Sequence, residues 1–232
     1  MIKKAALFFG VLLAILGALV ALSSIYASEK SQTAPAVKPQ SALPRALLNI
    51  EKNYTQSKTT EAEFEQTNFA ALTGVKKQSS GYVSLKYPDK FRWETLKPDK
   101  SLLVSDGRFF WFYTPPFDEG ERGQVIQKKT SEVQSQLASS LLSGAFSKMK
   151  DVKIQKISAT KFKLLPKKGS AGTVSSAEIT INPKKNTIDA VRLEHEGGNT
   201  AEIKLKNIRL KTKIDDGFFK FTTPPNTDMI KE

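Results

Sequence analysis

Apolar residues recur with different periods along this chain, and each period marks a different kind of segment. Residues 5–22 are an uncharged run rich in Leu, Ala, Val and Phe, preceded by Lys3 and Lys4 and followed by small residues up to Ala27. This is the three-part pattern of a secretory signal. It predicts a signal peptide over 1–27, cut after Ala27, with 21–23 as a rival cleavage site. The run is also long enough to span a bilayer, so a retained anchor is the alternative. Residues 28–42 hold few apolar side chains and include Pro35 and Pro39, which predicts a disordered spacer. From there Leu43, Leu47, Ile50 and Tyr54 fall at helical spacing, with Pro44 tolerated in the first turn. A helix over 43–57 opens a single domain expected to occupy 43–232.

Beyond residue 60 the period changes to two. Strands are predicted over 63–72, 81–87, 90–96, 101–105 and 108–113, and then over 152–157, 161–165, 177–182, 187–194 and 200–210, with a short closing strand over 218–222. Pro88 with Asp89, Asp106 with Gly107, the segment 182–186, and Gly197 with Gly198 supply turn chemistry between them. Between the two groups of strands, Val133, Leu137, Leu141, Ala145 and Met149 recur every fourth residue, widened by Ala138, Leu142 and Phe146. This predicts an amphipathic helix over 131–150, weakened by Gly144. The fold class is therefore mainly β (α+β), with one large antiparallel sheet and two helices on a single face. No internal repeat is evident.

Composition removes several kinds of chemistry. The 232 residues include no cysteine and one histidine. That excludes a disulfide scaffold, a thiolate nucleophile, a cysteine-ligated zinc and an N-terminal lipid-modified cysteine. His195 lies between Glu194 and Glu196 at a strand end, and neighbours on a strand point to opposite faces. It reads as a solvated surface residue, and neither a catalytic nor a metal site is expected. Lys and Arg number 36 against 23 Asp and Glu, a net charge of +13. Such a balance suits nucleic acid, anionic lipid or acidic partners, and export argues against the first. A 39% hydrophobic content with 14 Phe is far too apolar for a disordered chain.

The sidedness of the strands carries more. Phe91, Trp93 and Thr95 alternate with Arg92 and Glu94, so one face of the sheet is apolar and the other polar. Lys153, Lys163, Arg192, Lys204 and Lys206 fall in the polar phase, as a solvated outer face or as a surface that docks on anionic membranes or acidic partners. The run from Phe109 to Tyr113 is aromatic on both faces. Either it is a central strand with helices on one side and a loop on the other, or it lines a hydrophobic cavity that the sheet's own side chains do not fill.

Several of these stretches also match a known pattern. Residues 88–93 read Pro-Asp-Lys-Phe-Arg-Trp, 98–107 read Pro-Asp-Lys-Ser-Leu-Leu-Val-Ser-Asp-Gly, and 110–113 read Phe-Trp-Phe-Tyr. Phe64 to Gln66 lie before them, and 161–167, 179–182 and 219–225 (Phe-Lys-Phe-Thr-Thr-Pro-Pro) after them. In this order and spacing the chain resembles the periplasmic outer-membrane lipoprotein carrier family, LolA, over most of its length beyond the leader. The resemblance implies an open antiparallel β half-barrel with a helical lid over a hydrophobic cavity. It implies a chaperone that takes acylated lipoproteins from an inner-membrane lipoprotein-releasing ABC transporter to an outer-membrane acceptor, as a monomer without cofactor, metal or catalysis. The expected acyl-chain site is Phe64, Phe91, Trp93, Leu103 and Trp111 on strands and Leu137, Leu141, Leu142 and Phe146 on the lid. Where the family often has an Arg that latches the lid, this chain has Tyr87, a single hydroxyl in place of five guanidinium donors.

Other readings use the same half-barrel. One is a lipid sensor that controls a partner protein; that relative usually carries a second domain, for which this chain is short. Another is a carrier of a different acylated cargo. The amphipathic stripe over 131–150 is either permanent core or a movable lid, and the resemblance favours the lid.

Overall fold

The computed structural model describes residues 43–130, 137–149 and 151–231. The predicted leader and spacer lie outside the described residues, as does Val133 of the predicted stripe. The chain begins with helix α1 (Arg45–Ser57), which buries Leu47, Ile50, Tyr54 and Ser57 along one stripe. It ends where Lys58 turns into the left-handed region at φ 61°, its N–H bonded to the Tyr54 carbonyl.

Six strands follow: β1 (Thr59–Ala70), β2 (Val75–Lys86), β3 (Lys90–Lys97), β4 (Ser101–Ser105), β5 (Phe109–Thr114) and β6 (Gly123–Lys129). After a short helix α2 (Leu137–Leu142) and a single 3₁₀ turn (Phe146–Lys148) come β7 (Val152–Lys156), β8 (Lys161–Pro166), β9 (Val174–Asn182), β10 (Thr187–His195) and β11 (Thr200–Leu210). A second 3₁₀ turn (Asp216–Phe219) precedes β12 (Thr227–Lys231).

All twelve strands form one sheet in the order β12-β6-β5-β4-β3-β2-β1-β11-β10-β9-β8-β7. Every pairing is antiparallel except that of β12 with β6. The two end strands do not pair, so the sheet stays open. A twisted sheet of this width curls, and α1, α2 and the Phe146 turn occupy the inner side in one core cluster that reaches from Leu103 on β4 to Val152 on β7.

The predicted turns form where their residues demand. Asp106 Oδ1 accepts the N–H groups of Arg108 and Phe109, and Gly107 sits at φ 95°. Asn182 Oδ1 likewise accepts from Lys184 and Lys185.

Four expectations are corrected. The helix expected over 131–150 is, among the described residues, only Leu137–Leu142. Gly144, at φ 67°, breaks it, yet Leu141, Leu142, Ala145 and Phe146 are all buried. The strand expected over 218–222 is instead a 3₁₀ turn and an extended segment that cover the sheet's outer side. Strands β6 and β12 were not expected: Gly123–Lys129 carries only Val125 and Ile126 as apolar residues, and β12 is an exposed edge. His195 is buried, with Nδ1 2.9 Å from the Thr173 hydroxyl.

The outer side over β1, β9 and β11 is solvated and joined by exposed ion pairs, among them Glu65–Lys206 at 2.6 Å and Lys161–Glu178 at 3.1 Å. Pairs of this kind add little stability but keep that face wet.

Candidate functional site

The ladder decides which side chains share the concave face. Ala62, Val83, Trp93, Leu103 and Phe112 lie opposite one another on β1 to β5, and side chains in such a row point the same way. One flanking row contains Phe64, Gly81 and Thr95; the other contains Leu85, Phe91, Ser105 and Phe110. Of the strand residues expected to line the site, Phe64, Phe91, Trp93 and Leu103 therefore converge. All four are buried in the main core cluster. The Phe64 and Trp93 rings lie 3.9 Å apart between centroids, tilted by 30°, and Phe91 stacks on Trp93 at 6.2 Å.

Gly81 makes this packing possible. A Cβ there would collide with the Glu94 carbonyl oxygen and stand 3.0 Å from the Phe64 ring. The ladder shifts register between Ser80 and Gly81, a local irregularity of the kind that re-aims side chains.

Trp111 does not belong to this face. It pairs with Val104 and Gln127, in the row of Arg92, and so points to the outer side. There it stacks on Phe221 at 6.1 Å, and Tyr113 meets the same ring at 5.8 Å. The Arg92 guanidinium sits 4.7 Å above the Phe218 ring. Val104, Val125 and Phe219 are fully buried outside the main cluster. The C-terminal segment thus covers the outer side of β3–β6, and the doubly aromatic strand is sandwiched between that loop and the inner core. The inward rings of β5 are Phe110 and Phe112, half-buried against the core cluster. Periodicity could not have chosen between the two sets, because every residue from Phe109 to Tyr113 is aromatic and only the pairing with β4 fixes the phase.

Three of the four expected lid residues, Leu141, Leu142 and Phe146, are buried against this face; the side chain of Leu137 lies outside the described residues. Polar contacts reach the segment that carries Phe146. The Glu51 carboxylate on α1 accepts from the Ser147 N–H at 3.2 Å and from its hydroxyl at 2.5 Å. The Lys148 ammonium stands 4.9 Å from the centre of the Tyr87 ring. Tyr87, where the resemblance led one to expect a latching Arg, thus meets Lys148 through its π face. Neither Ser147 nor Lys148 stands out in the sequence.

Helix α1 is bonded to β10. The Tyr54 hydroxyl accepts the Ile188 N–H at 3.0 Å, and burial pushes its pKa up to about 12. The site offers aromatic and aliphatic surface and, among the described residues, no cluster of His, Cys, Asp or Glu able to hold a metal.

Comparison with known proteins gives a family match over most of this domain. The model described as "Outer membrane lipoprotein carrier protein LolA" matches residues 55–222. Two proteins named outer-membrane lipoprotein carrier protein are similar to the chain at 26% identity each. That of Dechloromonas aromatica (strain RCB) aligns over 206 residues, 87% of this chain and 95% of its own. That of Azotobacter vinelandii (strain DJ / ATCC BAA-1303) aligns over 214 residues, 87% and 96%. Among solved structures, an uncharacterized conserved protein from Thermus thermophilus has a similar fold, with a TM-score of 0.50 and 14% identity over 81% of this chain and 97% of that one.

Proposed function

Given that the chain belongs to the outer membrane lipoprotein carrier protein LolA family, we propose that it carries acylated lipoproteins across the periplasm, from an inner-membrane ABC transporter that releases them to an outer-membrane acceptor. The acyl chains occupy the concave face of Phe64, Phe91, Trp93 and Leu103, entering past Phe110 and Phe112. The lid residues Leu141, Leu142 and Phe146 fill that face in the free protein and move aside on loading. No bond is made or broken.

The physical need is plain. An acyl chain favours an apolar site over water by about 0.8 kcal/mol per CH₂, so a lipoprotein does not cross an aqueous compartment unaided. A carrier must match that apolar area without holding it too tightly. Exchanging lid for lipid does this: each loading event uncovers the apolar groups of the lid while burying those of the cargo, and only the difference appears as affinity.

The observation that carries the reading is the construction of the lid. Leu141, Leu142 and Phe146 are buried like core residues, but Gly144 at φ 67° parts the first two from the third and leaves Phe146 on a single 3₁₀ turn. A single 3₁₀ turn does not hold itself together, so its place depends on the face it covers and on the Glu51 and Tyr87 contacts. Incubation of the protein with lipoprotein-loaded spheroplasts tests the proposal. Soluble lipoprotein in the supernatant, dependent on this protein, is the expected result, and its absence overturns carriage. Leu142→Glu is expected to abolish cargo capture in a pull-down; unchanged capture overturns the lid assignment.

A further inference from the structure

At one rim of the sheet, where α1 ends, β1 begins and β2 and β11 finish, the surface opens into a recess of about 710 Å³ that the acyl-chain reading does not use. Its walls are residues 56–59, Lys86 and residues 211–215. Four of these are lysines: Lys58, Lys86, Lys211 and Lys213. The Thr59 hydroxyl is engaged with the Thr212 carbonyl at 2.7 Å, which holds the two walls together.

The charges are unbalanced. Lys86 is matched, with its ammonium 2.7 Å from Asp216 and 2.7 Å from the Ile214 carbonyl. Asp216 also meets Lys90 at 2.8 Å, and the two lysines draw its pKa down to about 2. Asp215, the one carboxylate of the lining, is turned onto the N–H of Gly217 at 2.7 Å. Among the described residues no carboxylate pairs with Lys58, Lys211 or Lys213. Like charges gathered in a concavity repel one another and focus a positive field that an anion relieves.

A second feature points the same way. Ser57 is buried in the floor, and its Oγ has no hydrogen-bond partner; nor has Thr212 Oγ1. Buried hydroxyls are normally satisfied, and both of these residues line the recess. Lysines that form point charges, beside spare hydroxyl donors, are the donor set for a tetrahedral oxyanion.

We propose that this recess binds a phosphoryl group, held by Lys58, Lys211 and Lys213 with Ser57 and Thr212 as hydroxyl donors. The group is either free phosphate or the phosphodiester of an anionic phospholipid. The Lys58 carbonyl accepts the Tyr87 N–H at 2.7 Å, so the recess shares its rim with the lid contact. A membrane headgroup seated there would bring the lid to the bilayer. The site stands independently of the acyl-chain reading.

The test uses the purified full chain and a Lys58→Gln/Lys211→Gln/Lys213→Gln variant. All three lysines are exposed, so the variant keeps the fold, checked by an unchanged thermal melt. Inorganic phosphate is titrated at constant ionic strength while the amide signals of Ser57 and Thr212 are followed by NMR. Saturable shifts in the native chain, at least about tenfold weaker in the variant, are expected. No saturation, or equal affinity in the variant, overturns the proposal. Vesicles of phosphatidylglycerol then identify the source. Sedimentation of the native chain with them, but not of the variant and not with phosphatidylcholine, assigns a headgroup. Saturable phosphate binding without sedimentation assigns free phosphate.

Discussion

The ammonium of Lys148 stands over the face of Tyr87, 4.9 Å from the ring centre, and ties the turn that carries Phe146 to the end of β2. The segment that carries Phe146 brings the cation and the sheet brings the π face.

That geometry separates ring from hydroxyl. A cation–π contact at an exposed site contributes about 0.5–1 kcal/mol, or roughly 2–5-fold in an opening equilibrium. Tyr87→Ala and Lys148→Gln should speed amide exchange in α2 and the Phe146 turn by that factor, whereas Tyr87→Phe should leave it unchanged. Equal acceleration in Tyr87→Phe would show that the phenol oxygen holds the lid.

The two faces of β5 make a second test. Phe112 lies in the row of Trp93 and Leu103, while Trp111 lies in the row of Arg92. Phe112→Ala should weaken binding of a fluorescent acyl probe. Trp111→Ala should lower the melting temperature by loosening Phe221, with probe affinity preserved. Loss of probe affinity in Trp111→Ala alone would return that ring to the site.

Gly81 sets a steric limit. Since a Cβ would collide with the Glu94 carbonyl oxygen, Gly81→Ala must push β2 and β3 apart beneath the Phe64 and Trp93 rings. A loss of about 3 kcal/mol or more is expected in urea unfolding. Ser80→Ala, next to it but half-buried, should cost much less.

Tyr54 gives the stability a pH dependence. Burial, opposed by the Ile188 N–H and aided by the Asp189 charge, raises its pKa from 10.0 to about 12. A raised value means that the folded state favours the neutral phenol. Its contribution is therefore complete below pH 10 and disappears as pH rises through 12, on the order of 2–3 kcal/mol in all. Unfolding free energy measured from about pH 9 to 12 should fall along this limb, and Tyr54→Phe should flatten it. The variant should also lose about 1–3 kcal/mol at neutral pH, because the Ile188 N–H loses its acceptor.

Read alone, the chain determined its class, most of its strands and turns, and the apolar character of the face that Phe64, Phe91, Trp93 and Leu103 share. Those features depend on short-range periodicity and local chemistry: alternation in Phe91 to Thr95, the Asp106 side chain capping its own turn, the helical spacing of Leu47, Ile50 and Tyr54. It marked Leu141, Leu142 and Phe146 as buried even though Gly144 stops the helix expected to carry all three before Phe146, because burial follows hydrophobicity while the helix end is set by Gly144.

Tertiary structure decided what period-two logic leaves degenerate. Which rings of Phe109 to Tyr113 face inward depends on the register with β4. Strands β6 and β12 exist because neighbours pair with them, their own pattern being too weak. The cover that Phe219 and Phe221 form on the outer face, the Lys148–Tyr87 contact and the lysine recess all join residues far apart in the chain. No local window contains both partners, so only packing could bring them together.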